Sequence, residues 1–201
     1  MSSAVKRPRG RPAIPKEVQR RRLIEAAFRV FERNRYERTS VADIVGEAGM
    51  SSRSFYDHFA SKEDLVAEIV AEVGERLLGE LSEVMTEMPL DVERNADLAL
   101  GIFLEGLPVS AIDLERLGGD AGRRVGEVRR RIVQRLTNLT HTYLGRLLAK
   151  GLVARLPERA EVEIIMTGIE GMCLRYYSEG RRDELLEIRP LILRLLLTAL
   201  G

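Results

Sequence analysis

Apolar residues recur along this chain at intervals of three and four, the spacing of helices with one buried face. Val41, Ile44, Val45 and Ala48 fall at i, i+3, i+4 and i+7, with Ser40 just ahead of them, Asp43 three positions on from Ser40, and Gly49 at the stop. That is a capping-box start and a glycine end. A second start at Ser51 carries Phe55, Tyr56 and Phe59 at helical spacing and leaves Ser52, Arg53 and Asp57 on other faces. Two helices joined by a turn of about three residues that contains Gly form a helix-turn-helix, whose second helix can enter the DNA major groove.

The same period predicts the rest. A helix over residues 18–34 buries Leu23, Ile24, Ala27, Phe28 and Phe31, and Asn34 can close it in the left-handed conformation. Ser61 opens a long stripe (Leu65, Val66, Ile69, Val70, Val73, Leu77, Leu81, Met85) that lasts to Pro89. A helix of roughly 27 residues spans about 40 Å, too long for the small N-terminal unit alone, so it reads as a rigid link into a second unit. Further helices are expected at 91–107, 109–117, 121–150, 158–179 and 183–200, with Pro190 forcing a kink or a late start in the last. No alternating strand pattern appears, so the fold class is all-α, about nine helices.

Charge divides the chain more sharply than its net of +1 suggests: residues 1–60 hold 13 Lys/Arg against 7 Asp/Glu, and the remainder 19 against 24. A basic N-terminal part on an acidic remainder fits a polyanion-binding module attached to something that does not bind polyanions. Residues 1–16 contain three prolines and a glycine and read as an extended, disordered basic arm. Its Arg9-Gly10-Arg11-Pro12 run resembles an AT-hook, in which arginines lie in a narrow A·T minor groove. The alternative is a solubilising tail. The single cysteine, Cys173, suits a reducing compartment, and no apolar run has the length or purity of a signal peptide or membrane span, so the expectation is a soluble cytoplasmic protein with no membrane partner. Two histidines, one cysteine and the lack of any catalytic or metal-ligand motif argue against an enzyme, a metal site or a cofactor.

The run from Leu23 to Leu65 resembles the TetR family of transcriptional regulators. The match lies in Ala26–Phe31, Thr39-Ser-Val-Ala-Asp-Ile, Ala48-Gly-Met-Ser51, Phe55-Tyr-Asp-His-Phe59 and Ser61-Lys-Glu-Asp-Leu65. The family usually has Gly where this chain has Arg35, which moves the expected left-handed residue of the first turn onto Asn34. The resemblance implies a helix-turn-helix DNA-binding domain (17–61) and a helical ligand-binding and dimerisation domain (62–201), with a homodimer formed mainly by the last two helices. It also implies phosphate contacts from Thr39, Tyr56, His58 and Lys62. A core histidine is the alternative for His58. Ser51, Ser52, Arg53 and Ser54 begin the expected recognition helix, and a guanidinium such as that of Arg53 can donate two bonds to guanine O6 and N7.

Phe103, His141, Tyr143, Met166, Met172 and Tyr177 are candidates to line a ligand cavity between body helices, with core packing as the alternative for each. Glu170, in a polar seam with Glu163 and Thr167, is a candidate counter-charge for a cationic ligand or else a rim carboxylate. Gly168 and Gly171 invite close approach of another helix, and Ile192 and Leu196 belong to an apolar face too wide for a monomer's surface helix, so these four are the dimer-interface candidates. Together the residues point to a homodimeric repressor of a palindromic operator, bound to double-stranded DNA and released by a small molecule. An activator, a ligand-independent regulator and a helical structural protein are the alternatives. Deleting residues 1–16 is expected to weaken DNA binding and to flatten the salt dependence by about 0.9 units of log–log slope for each phosphate that the arm neutralises. Binding titrations across a salt series measure it.

Overall fold

The computed structural model describes residues 14–106, 117 and 119–200. The arm with Arg9 and Arg11 falls outside them, as does all but the last residue of the helix expected at 109–117. Among the described residues are nine α-helices, one 3-10 turn and no strand. None of these helices is long and apolar enough to cross a membrane.

Three helices form an N-terminal head. α1 (Lys16–Asn34) buries Leu23, Ala27 and Phe31. α2 (Val41–Ala48) begins at Ser40, whose Oγ accepts the Asp43 N–H at 3.2 Å while the Asp43 carboxylate accepts the Ser40 N–H at 2.8 Å. This reciprocal cap pairs two amides that a bare helix end would leave open. Gly49 closes α2 at φ 63°, and α3 (Ser52–Tyr56) starts on Ser51, whose Oγ accepts the Ser54 N–H at 3.1 Å. Phe31, Ile44, Phe55 and Leu65 are completely buried between these elements. Each such side chain contributes about 1.5–3 kcal/mol.

The turn from α1 to α2, a 3-10 turn over Tyr36–Arg38, departs from the sequence expectation. Asn34 remains helical, and Arg35 itself takes φ 63° and ψ 158°. The Arg35 N–H donates to the Phe31 carbonyl at 2.8 Å, and the Arg35 carbonyl accepts the Thr39 hydroxyl at 2.9 Å. Tyr36 then reaches the core with its ring edge-to-face on Phe31, centroids 5.6 Å apart. Those three attachments leave no slack for a one-residue shift, so a side chain occupies backbone space that suits glycine.

α4 (Lys62–Thr86) buries Leu65, Val66 and Ile69 in the head core and Leu77 and Leu81 in a second core farther along. α6 (Gly119–Ala149) packs along it more extensively than any other helix, so closely at Gly74 that a Cβ there would collide with the Ile132 side chain. α5 (Val92–Glu105) and α7 (Arg159–Ser178) complete the body core with Leu104 and Cys173. The kink or late start expected at Pro190 within 183–200 is a full break at Ile188, giving two helices, α8 (Arg182–Glu187) and α9 (Arg189–Thr198). Pro190 stands in the first turn of α9, where its missing N–H costs nothing, and could not have continued α8. Arg189 docks α9 on α5 by donating to the Asp97 carboxylate at 3.0 Å and the Asp97 carbonyl at 2.7 Å, lying over Gly101 where no Cβ obstructs it.

A non-glycine residue in the backbone region of Arg35 is strained by about 1–3 kcal/mol. Arg35→Gly is therefore expected to stabilise the protein by about 1 kcal/mol after the entropy cost of glycine is deducted. A higher urea midpoint at unchanged slope is the readout.

Candidate nucleic-acid interface and body cavity

Phe55 and Phe59 of the α3 region turn inward, which sends Ser52, Arg53 and Tyr56 outward. Tyr56 is 59% exposed, and its ring stands edge-to-face on Phe55, centroids 5.4 Å apart. Ser51 and Ser54 hold each other, Oγ to Oγ at 3.0 Å, at the start of the helix. Arg53 is exposed and makes no ion pair among the described residues. His58 is half-buried, its Nε2 3.3 Å from Gln19 Oε1, while the Gln19 amide donates to the Ile14 carbonyl at 2.7 Å. The described chain thus begins beside His58.

Thr39 and Lys62 are placed otherwise than the phosphate reading expects. Thr39 is 3% exposed, with its hydroxyl spent on the Arg35 carbonyl. Lys62 Nζ donates to the carbonyls of Tyr36 at 2.9 Å and Thr39 at 2.7 Å and lies 4.0 Å from the centroid of the Tyr36 ring. Burial holds this ammonium below the ordinary lysine pKa. The Tyr36 hydroxyl donates to Glu63 at 3.0 Å, and burial together with that carboxylate pushes the phenol well up. The residue pair thus ties the start of α4 to the turn before α2.

Part of the head's positive charge is also engaged internally. Arg20 bridges α1 to Glu68 and Glu72 of α4, and Arg29 and Arg33 both grip Glu47 of α2, at 2.8 Å and 2.5 Å. These pairs lie at the surface, where solvent screening keeps each weak, so their effect is positional.

In the body, a cavity of about 120 Å³ lies between α4, α5, α6, α7 and α9. Phe103, Tyr143 and Met166 line it, along with Leu81, Met85 and Leu196. The other ligand candidates lie elsewhere. Glu170 accepts the Arg129 Nε–H at 2.9 Å beside a separate gap of about 30 Å³, so its charge already has a partner. The Tyr177 hydroxyl donates to the Leu104 carbonyl at 2.6 Å, Met172 packs on the body core, and His141 is half-buried on α6 away from the cavity. Asn95, absent from the expected set, is a wall residue that is only 2% exposed. Its signal was legible: it stands in phase with Ala99 and Phe103, a polar residue on an apolar stripe.

Of the interface candidates, Gly168 is exposed and Gly171 half-exposed, each with open space where a Cβ would stand. Ile192 points into the chain's own core and Leu196 towards the cavity, so neither is presented outward as the interface reading expects. On α7 and α9 the exposed large apolar side chains are Ile164, at 72%, and Leu191 and Leu195, at 51% and 63%.

The family described as "Bacterial regulatory proteins, tetR family" matches residues 23–69, the stretch from the core of α1 through the first turns of α4. Over that stretch the chain matches the TetR family. The HTH-type transcriptional repressor KstR2 of Mycolicibacterium smegmatis is 30% identical over 94 residues, 46% of each chain, and that of Mycobacterium tuberculosis H37Rv is 32% identical over 85 residues, 42% of each. The matched stretch spans less than half the length of these curated relatives. Likeness over the whole fold comes from solved structures. FadR of Bacillus subtilis, in complex with stearoyl-CoA, gives a TM-score of 0.70 over 90% of this chain and 99% of that one at 16% identity. FadR of Bacillus halodurans gives 0.69 over 93% and 97% at 19% identity.

Within this TetR-family head, Lys62 supplies the donors for two backbone carbonyls. Lys62→Met keeps the stem and removes both, and it is expected to destabilise the DNA-free protein by about 1–2 kcal/mol. Thermal and urea unfolding in the absence of DNA measure this; a residue that acted on phosphate alone would leave those transitions unmoved.

Proposed function

We propose that the chain is a homodimeric DNA-binding transcriptional regulator, and more narrowly a repressor released from a palindromic operator when a small molecule enters the body. The observation that carries this reading is the outward face of α3, where Arg53 has no ion pair among the described residues while Phe55 and Phe59, which follow it in sequence, anchor the helix in the head core. A guanidinium so placed can donate to guanine O6 and N7 in the major groove. Ser51, Ser52, Ser54, Tyr56 and His58 surround it at positions suited to phosphate and groove-edge contacts. Arg9 and Arg11 are assigned to the minor groove, where they add affinity and A·T preference.

Homodimer formation is assigned to outward residues of α7 and α9, where Ile164, Leu191 and Leu195 are exposed and Gly168 has open space in place of a Cβ. A two-fold pair covering those side chains presents two α3 helices to successive major grooves about 34–36 Å apart. The ligand reading rests on α4, whose Leu81 and Met85 form cavity wall while its Leu65 and Ile69 belong to the head core. A molecule that prefers one placement of α4 shifts the DNA-competent population by that preference alone. Moving the population from 1:99 to 99:1 needs about 5.5 kcal/mol of preference. The names of KstR2 as a repressor and of the FadR complex as a stearoyl-CoA holder support repression and a ligand in the body.

Arg53→Ala, tested on operator fragments selected from a random pool, is expected to lose about 1–3 kcal/mol of discrimination at one base pair of each half-site. Equal weakening on every sequence would make Arg53 a phosphate-binding residue. In the same assay, Leu195→Glu is expected to sediment as a monomer and to lose the preference for a full palindrome over a half-site.

A further inference from the structure

The chemistry of the cavity wall narrows the class of molecule it accepts. No charged side chain lines the cavity among the described residues, and its polar members are Asn95, Thr140 and Tyr143. An ionised group enclosed there would be stripped of water without a counter-charge, which is strongly unfavourable.

Two groups on this wall have hydrogen-bonding capacity left over, and they are neighbours. Asn95 donates from Nδ2 to the Pro89 carbonyl at 2.9 Å and to the Tyr143 hydroxyl oxygen at 3.0 Å. The Pro89 carbonyl can only accept, so the amide nitrogen must face it, and the orientation of the side chain is fixed. That leaves Asn95 Oδ1 buried with no partner among the described residues. The Tyr143 hydroxyl, having accepted from Asn95, finds no acceptor for its own proton among those residues. A buried acceptor and an undonated proton, each unpaired, are both destabilising. A hydroxyl group can satisfy both, because one oxygen accepts from Tyr143 and donates to Asn95. Water has the same capacity but offers nothing to the surrounding Phe103, Leu136 and Ile169. The space of about 120 Å³ is somewhat below the roughly 150 Å³ of an apolar cavity that holds benzene.

We propose that this cavity takes a compact, uncharged apolar molecule with one hydroxyl, of the size of a phenol, held through that hydroxyl by Asn95 and Tyr143. The assignment rests on the reading of the body as a ligand-binding unit. It separates this cavity from one built for a carboxylate or for a long acyl chain.

Calorimetric titration of the full-length protein without DNA, using phenol, toluene and benzoate as probes of similar size, tests it. Phenol is expected to bind about tenfold or more tighter than toluene, as two added hydrogen bonds require, and benzoate to bind no better than toluene. Tyr143→Phe is expected to bring phenol down to the affinity of toluene while leaving toluene unchanged, with its thermal midpoint as the check on folding. Should that variant fail to fold, the comparison of the three probes on the unaltered protein decides alone. Equal binding of phenol and toluene, tighter binding of benzoate, or a phenol preference that survives Tyr143→Phe would overturn the assignment. Phenol that binds as expected without loosening DNA upholds this ligand class and contradicts ligand-controlled release. A long-chain acyl-CoA that loosens DNA while phenol fails to bind does the reverse.

Discussion

Lys62 donates to the carbonyls of Tyr36 and Thr39 from the first turn of α4, and the last turns of that same helix form cavity wall. The turn those carbonyls belong to leads directly into α2, which positions α3. The ammonium also lies against the Tyr36 ring, so charge, hydrogen bonds and packing all register α4 against the head at one point. Arg20 repeats the attachment a turn or two farther along through Glu68 and Glu72. With α4 held in this way, Leu65, Val66 and Ile69 close the head core from below, and head and body share a helix instead of meeting through a flexible linker.

Basic residues in the head divide accordingly into two kinds. Arg20, Arg29, Arg33 and Lys62 fix helices to one another, whereas Arg21, Arg22, Arg38 and Arg53 are exposed without an ion pair among the described residues. The excess positive charge of the first 60 residues therefore divides into charge held inside the head and charge presented at its surface. The body's carboxylates play the complementary part, as where Glu170 pairs with Arg129.

Much of the head was legible in the sequence because its signals are local. Ser40 with Asp43, Ser51 ahead of Ser54, Ser61 ahead of Asp64 and Gly49 between them mark helix ends within a few residues, and the observed caps fall on these positions. The places where expectation and structure part are those where distant contacts decide. Arg35 keeps the strained conformation because Phe31, Thr39 and Tyr36 together hold the turn, which no propensity of Asn34 could reveal. On α9, apolar residues occur nearly all round, so periodicity could not tell that Ile192 faces in while Leu191 and Leu195 face out. Cavity walls are harder still, being assembled from five helices. Phe103, Tyr143 and Met166 lie on them while Met172 and Tyr177 pack elsewhere, although all five looked alike as apolar positions at helical spacing.

The 25 residues of α4 form an unbroken rod, roughly 37 Å from end to end. A tilt of about 10° about the middle of the rod would carry each end through roughly 3 Å, and in a two-fold pair the displacement between heads would double when the bodies stay together. Since a recognition helix must sit in a groove only about 12 Å wide, such a change is enough to seat one α3 while lifting the other. The close contact of Gly74 with the Ile132 side chain, near the middle of the rod, is where α6 would act as a pivot for α4. Angular amplification by a stiff rod over a fulcrum would let a molecule the size of one ring govern the engagement of a whole operator.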